Sequence, residues 1–138
     1  MSDPKALYQD LVKDHGQHPR REGVLAGATH EAKKTNPLCG DRVTLRLRVE
    51  DGTVRGVAFE ARGCLLAKAS ASILGEVVEG RTVEDARAFA RTLHALAHDA
   101  TPPTDAGPLE PLRPVREFPA RASCIELAWD CLEKALET

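Results

Sequence analysis

Val43, Leu45, Leu47 and Val49 alternate with Thr44, Arg46 and Arg48, and this pattern restricts the fold more than any other feature of the chain. A period of two sends the apolar side chains to one face of an extended strand and the polar ones to the other. Asp51-Gly52 then supplies two residues suited to the left-handed backbone of a tight turn, and Val54 to Ala61 makes the return strand. An antiparallel hairpin with one apolar face must be covered on that face, and the rest of the chain offers helices to cover it.

Ser2 or Asp3 as N-cap and Pro4 at the first helical position predict a short amphipathic helix bearing Leu7, Leu11 and Val12 and ending near Gly16. From Gln17 to Gly27 the segment is rich in Pro, Gly and basic residues and reads as irregular, with an edge strand expected over 28–34. After Gly63-Cys64 a helix carries Leu66, Ser70, Ile73, Leu74 and Val77 on one stripe and closes at Gly80. Thr82 and Asp85 resemble a capping box, opening a helix through Ala86, Phe89, Ala90, Leu93 and Leu96 to Ala97. Pro102, Pro103, Pro108, Pro111 and Pro114 forbid a long helix next, so a loop with one short helical turn is expected. A terminal helix begins after Pro119 and includes Cys124. The expected class is α+β: a small antiparallel sheet of about three strands with helices packed on one face.

With 138 residues, the chain can bury one ordinary core, and residues 1–138 are expected to form a single domain. Its formal charge of -2 gives no reason to invoke nucleic acid or an anionic membrane surface. No stretch approaches the ~18 apolar residues of a membrane helix, and Met1-Ser2-Asp3-Pro4-Lys5 lacks the apolar core of a secretory signal. A cytoplasmic protein is expected. In a reducing compartment four cysteines read as metal ligands, reactive thiols or core residues rather than as a disulfide framework.

Three of the four fall at ends of expected elements: Cys39 before the hairpin, Cys64 after it, and Cys124 near the start of the terminal helix. Thiolates at helix N-termini are stabilised by free backbone N–H groups, an advantage open to Cys64 and Cys124. Asp41 follows Cys39 by two residues with Gly40 between them, so its carboxylate can turn toward the same point. Cys39, Asp41, Cys64 and Cys124 together make a plausible set for zinc or iron, and an oxygen ligand favours an exchangeable ion over a closed structural one. On spacing alone, a C-x-D followed by single cysteines matches no general zinc pattern, and ordinary buried cysteines are the plain alternative.

The motifs say more. Asn36-Pro37-Leu38-Cys39-Gly40-Asp41-Arg42, Gly63-Cys64 followed by Ala69-Ser70-Ala71-Ser72, and Phe118-Pro119-Ala120-Arg121-Ala122-Ser123-Cys124 with Leu127-Ala128-Trp129 resemble the IscU/SufU/NifU-N family of iron-sulfur cluster assembly proteins. The resemblance spans nearly the whole chain, including His18-Pro19-Arg20, and implies a SufE/NifU-like fold. Ser123, where scaffold-type members carry His, and about 20 extra residues over 95–114 make the zinc-containing SufU branch the nearer likeness. The resemblance implies a pyridoxal-phosphate cysteine desulfurase of the SufS/IscS type as partner, with downstream cluster assembly proteins beyond it. It implies persulfide sulfur passing to Cys39 while zinc exchanges a ligand. Arg121, three residues before Cys124, is a candidate for balancing the negative charge of the ligands, with a surface arginine as the plain alternative.

The same residues allow two other readings: a scaffold for a transient [2Fe-2S] cluster, and a structural zinc domain that only mediates protein contacts. Ser123 weakens the scaffold reading, since a hydroxyl replaces imidazole poorly as an iron ligand. Cys131, seven residues beyond Cys124 on the same helix, lies about 10 Å farther along the axis and reads as core. Trp129 reads as a core or interface anchor. His94 and His98 have the i, i+4 spacing of a helical metal pair, but a solvated face is the expectation for them, and surface or capping roles for His15, His18 and His30.

Overall fold

The structure is a computed structural model and describes residues 9–37 and 40–137. Three antiparallel strands run in chain order as a meander: β1 (His30–Thr35), β2 (Arg42–Glu50) and β3 (Thr53–Arg62). Asp51 and Gly52, with φ of 52° and 72°, form the tight turn that their residue types predict. Leu45 pairs with Ala32 on one side and Phe59 on the other, and all three are buried against helices. Arg46, opposite Glu31 on β1 and Ala58 on β3, forms ion pairs with Glu31 and, diagonally, with Glu60, which pairs with Thr44.

Helices α2 (Leu65–Val78) and α4 (Pro119–Leu136) cover the apolar face, α2 against β3 and α4 against β1 and β2. The expected single stripe on α2 is too narrow. Ala67, Ala71, Gly75 and Val78 are buried as well, because α1 (Asp10–Gln17), the sheet and α4 surround the helix. Its two buried serines are satisfied. Ser70 donates its hydroxyl to the Ile125 carbonyl at 2.6 Å and accepts the Trp129 indole N–H at 3.0 Å, joining α2 to α4. Ser72 Oγ accepts the Arg20 backbone N–H at 2.8 Å and lies 2.7 Å from His15 Nδ1. His15 is therefore buried, and the surface role expected of it is wrong.

The expected start of the first helix at Pro4 lies outside the described residues; α1 begins at Asp10, after an extended Gln9. Leu11, expected to face the core, is exposed, while Val12, His15 and Gly16 are buried. Gly16 explains this orientation: a Cβ there would sit 2.4 Å from Leu65 Cδ1, so the glycine face is the one that can meet α2.

Helix α3 (Val83–His98) is capped as predicted, with Thr82 Oγ1 accepting the Asp85 N–H at 3.1 Å. The stretch expected to be a loop with one helical turn is an eleven-residue 3₁₀ helix, Gly107–Glu117. Leu109, Leu112 and Val115 recur every third residue and are all buried, matching a helix of three residues per turn. Proline excludes a long α-helix here without excluding this tighter one. Of the α3 histidines, His98 keeps the solvated position expected of it, with its side chain 61% exposed, whereas His94 is partly buried and departs from expectation. His94 and His98 face α4, where Asp130, Glu126 and Glu133 surround the His94 ring and raise its pKa to about 10 against the opposing effect of burial. No described helix is long and apolar enough to cross a membrane.

Candidate metal centre

Asp41, Cys64 and Cys124 reach one point from three elements. Asp41 immediately precedes β2, Cys64 is the N-cap of α2, and Cys124 lies in the second turn of α4. One donor atom from each falls within 4.8 Å of the other two. Cys39 lies outside the described residues. Cys124 does not share the helix-terminus advantage expected of it, being the sixth residue of α4; among the described cysteines Cys64 alone caps a helix. Arg121 stands exposed in the first turn of α4.

Local backbone geometry aims the carboxylate. Asp41 Oδ1 accepts the Cys64 backbone N–H at 3.1 Å, and the Cys64 thiol donates to Oδ2 at 3.4 Å. That approach depends on Gly63, whose φ is +136°; a Cβ there would stand 1.9 Å from Asp41 Oδ1. Gly40, at φ +75°, lets the chain fold back so that its N–H reaches the Asn36 carbonyl at 2.8 Å. Asn36 N–H in turn donates to the Asp41 carbonyl at 2.8 Å. The loop is thus closed on itself immediately before β2.

Burial separates the centre from bulk water: Asp41 is 2% exposed and Cys124 is 4% exposed, while Cys64 is half-buried. A tetrahedral ion with bonds of ~2.3 Å to sulfur and ~2.1 Å to oxygen holds such ligands about 3.6 Å apart, close to the 3.4 Å between Cys64 Sγ and Asp41 Oδ2. Two sulfurs and an oxygen suit zinc or ferrous iron, and the donors present fit either ion.

Sequence reasoning gave Asn36 and Ser123 no role at this centre. The Asn36 side-chain amide donates to Ser123 Oγ at 2.9 Å, fastening the loop before β2 to the residue preceding Cys124. A groove of about 460 Å³ runs from this pair along α4 past Glu126 to Asp130. Motif position offered the only signal, since Ser123 directly precedes Cys124 and Asn36 opens the motif that carries Cys39 and Asp41. Cys131 is the core residue expected: it is fully buried, its thiol faces the Val43 carbonyl at 3.5 Å, and burial pushes its pKa up to about 12.

The family of NifU-like N-terminal domains matches residues 7–138. The chain belongs to that family. It is 34% identical over 134 residues to the zinc-dependent sulfurtransferase SufU of Bacillus subtilis, covering 94% of this chain and 89% of that one. It is 32% identical to the iron-sulfur cluster assembly scaffold protein IscU of Streptococcus pyogenes, over 95% of this chain and 83% of the relative. Among solved structures, a putative SUF-system scaffold from Fervidobacterium islandicum superposes with a TM-score of 0.89 at 25% identity, covering 97% of this chain and 99% of the other. The three-stranded sheet with its helical cover is the fold of the family.

Proposed function

We propose that this protein serves iron-sulfur cluster assembly as a zinc-dependent acceptor of persulfide sulfur from a cysteine desulfurase. Cys39 is the acceptor in this reading, and Cys39, Asp41, Cys64 and Cys124 hold the ion. The observation that carries it is the meeting of Asp41, Cys64 and Cys124 donor atoms within 4.8 Å at a buried point. Both the zinc-dependent sulfurtransferase and the scaffold named among the relatives support a role in this pathway.

Zinc, when bound, keeps the cysteines deprotonated near neutral pH. The Cys39 thiolate attacks the terminal sulfur of the donor persulfide. A new S–S bond forms at Cys39, the donor S–S bond breaks, and the donor cysteine leaves as a thiolate, so no external oxidant or reductant is needed. Asp41 contributes an oxygen, a harder and more readily exchanged donor than a fourth thiolate. Arg121 supplies an exposed positive charge three residues before Cys124.

Elemental analysis of anaerobically purified protein, followed by incubation with a desulfurase and cysteine, tests this reading. One tightly held zinc per chain, lost in Cys64→Ser, and one extra sulfur on Cys39 by mass spectrometry are expected. Iron with acid-labile sulfide would instead establish the scaffold reading. Zinc without sulfur transfer to Cys39 would leave a structural zinc domain, and absence of tightly bound metal would overturn the centre.

A further inference from the structure

A second group of ligand-bearing side chains lies between α3 and α4. His94 and His98 stand one turn apart on α3, and Glu126, Asp130 and Glu133 occupy i, i+4 and i+7 on α4. Both helices therefore present these residues on a single face, in the way that bundles assemble metal sites between facing helices. His94 Nε2 is 2.8 Å from Glu133 Oε1 and 3.3 Å from Asp130 Oδ1. On the other side of the ring, Nδ1 is 2.5 Å from Glu126 Oε2, and Glu126 Oε1 is 2.7 Å from His98 Nε2.

We propose that His94, Asp130 and Glu133 form a second metal site, for an exchangeable divalent transition cation such as zinc, with Glu126 as the positioning residue that orients the His94 ring. The proposal is independent of the sulfur-transfer reading.

Three arguments carry it. The first is geometric: the three donor atoms lie within 4.8 Å of one another, and a tetrahedral ion with bonds of ~2.1 Å needs separations of about 3.4 Å, within small side-chain adjustments of those observed. The second concerns the ring. A metal-bound imidazole ordinarily donates its other N–H to a carboxylate, and Glu126, itself only 9% exposed, is in place to accept from Nδ1 and leave Nε2 to face the ion. His98 holds the second oxygen of Glu126, so the carboxylate is fixed from both sides.

The third argument is charge. Three carboxylates meet two imidazoles, and among the described residues those carboxylates form ion pairs with histidine alone. Lys34 and Lys134 line the neighbouring groove with Asp130 and Glu133, yet neither forms an ion pair with them. A divalent ion brings two positive charges to this surplus and sends any proton on Nε2 to solvent. Asp130 and Glu133 side chains are 38% and 41% exposed, which leaves room for water to complete the coordination and for the ion to exchange.

Nitrogen and oxygen donors distinguish this site spectroscopically from the sulfur-rich centre. The test is titration of cobalt(II) into protein already carrying one tightly bound zinc. A second equivalent is expected to bind with weak visible ligand-field bands and without the near-ultraviolet charge-transfer absorption of a cobalt–thiolate bond. His94→Ala, Asp130→Asn and Glu133→Gln should each lose that equivalent while retaining the first zinc, whose retention also reports that the variant is folded. Glu126→Gln should weaken the second ion by about 10- to 100-fold, as loss of a ligand's outer partner does. No second equivalent in the wild-type protein would overturn the proposal. Equal uptake by His94→Ala and Asp130→Asn would overturn it too, by showing adventitious surface binding.

Discussion

Asp41, Cys64 and Cys124 come together from the approach to β2, the cap of α2 and the second turn of α4, whereas His94, Asp130 and Glu133 stand on the facing sides of two helices. The first group is mostly buried and rich in sulfur; the second is half-exposed and offers only nitrogen and oxygen. The two share α4, with Cys124 and Asp130 six residues or about 9 Å apart along its axis. Their construction differs. The first depends on unusual backbone at Gly40 and Gly63, while the second needs only regular helices at the right distance. A change of backbone should therefore separate them.

Gly63→Ala should give the largest separation. Its φ of +136° is strained for any residue with a Cβ, and that Cβ would overlap the Asp41 carboxylate. A loss of about 3 kcal/mol in stability is expected by urea denaturation. Zinc should be lost from the Asp41, Cys64 and Cys124 centre, while cobalt uptake by the helix-face group persists. Gly40→Ala, at φ +75° but with open space around its Cβ, should cost only about 1 kcal/mol. Similar costs for the two variants would show that the contact with Asp41 carries no weight.

Ser70→Ala comes next. It removes the acceptor of the Trp129 indole N–H inside the core and should cost about 2 kcal/mol. Because Ser70 joins α2 to α4, the change should weaken zinc at the centre that needs both helices more than cobalt at the site between α3 and α4. Equal weakening of both would mean that α4 moves as a body, and would erase the distinction.

The sequence announces the two groups unequally, for physical reasons. Residues that act through regular periodicity are readable: the strands of the hairpin, Thr82 as a cap, and the i, i+4 pair His94 and His98. What spacing could not supply was the partner surface, since Glu126, Asp130 and Glu133 lie some thirty residues further on and only the packing of α4 on α3 brings them near. The solvated position expected for His94 failed on that account, while His98 remains exposed. The cysteine centre was legible chiefly by motif, because backbone reversals at Gly40 and Gly63 leave no periodic trace. The 3₁₀ helix shows the same limit: prolines were weighed as breakers, and the apolar period of three at Leu109, Leu112 and Val115 went unused.

A smaller effect is expected at the latch between Asn36 and Ser123. Removing either side chain leaves every ligand in place but frees the loop before β2 from α4. Asn36→Ala and Ser123→Ala should each lower zinc affinity at the first centre by about 10-fold, measured by competition with a chelating dye, and the double variant should cost no more than either alone. Additive losses would mean that the two residues act separately. Cobalt at the helix-face group should be unchanged in all three.

The smallest effect comes from His15, which belongs to neither group and supplies the background against which their acid sensitivity must be read. Burial is the main cause of its lowered pKa; the Arg20 charge lowers it further, and Glu76 and Asp14 oppose the shift. A histidine with a folded pKa below its ordinary 6.5 is neutral in the fold, while the unfolded chain takes up a proton first as pH falls. Its stabilising contribution is therefore complete above pH 6.5 and declines as pH drops through the folded pKa. Urea denaturation of metal-free protein between pH 7.5 and 5, values set about one unit either side of the free histidine pKa, should show stability falling toward acid. His15→Gln, which retains a hydrogen-bonding partner for Ser72, should flatten that slope. An unchanged slope in this variant would assign the acid sensitivity to groups other than His15; His94, with its pKa raised to about 10, loses its contribution as pH rises and does not produce a loss toward acid.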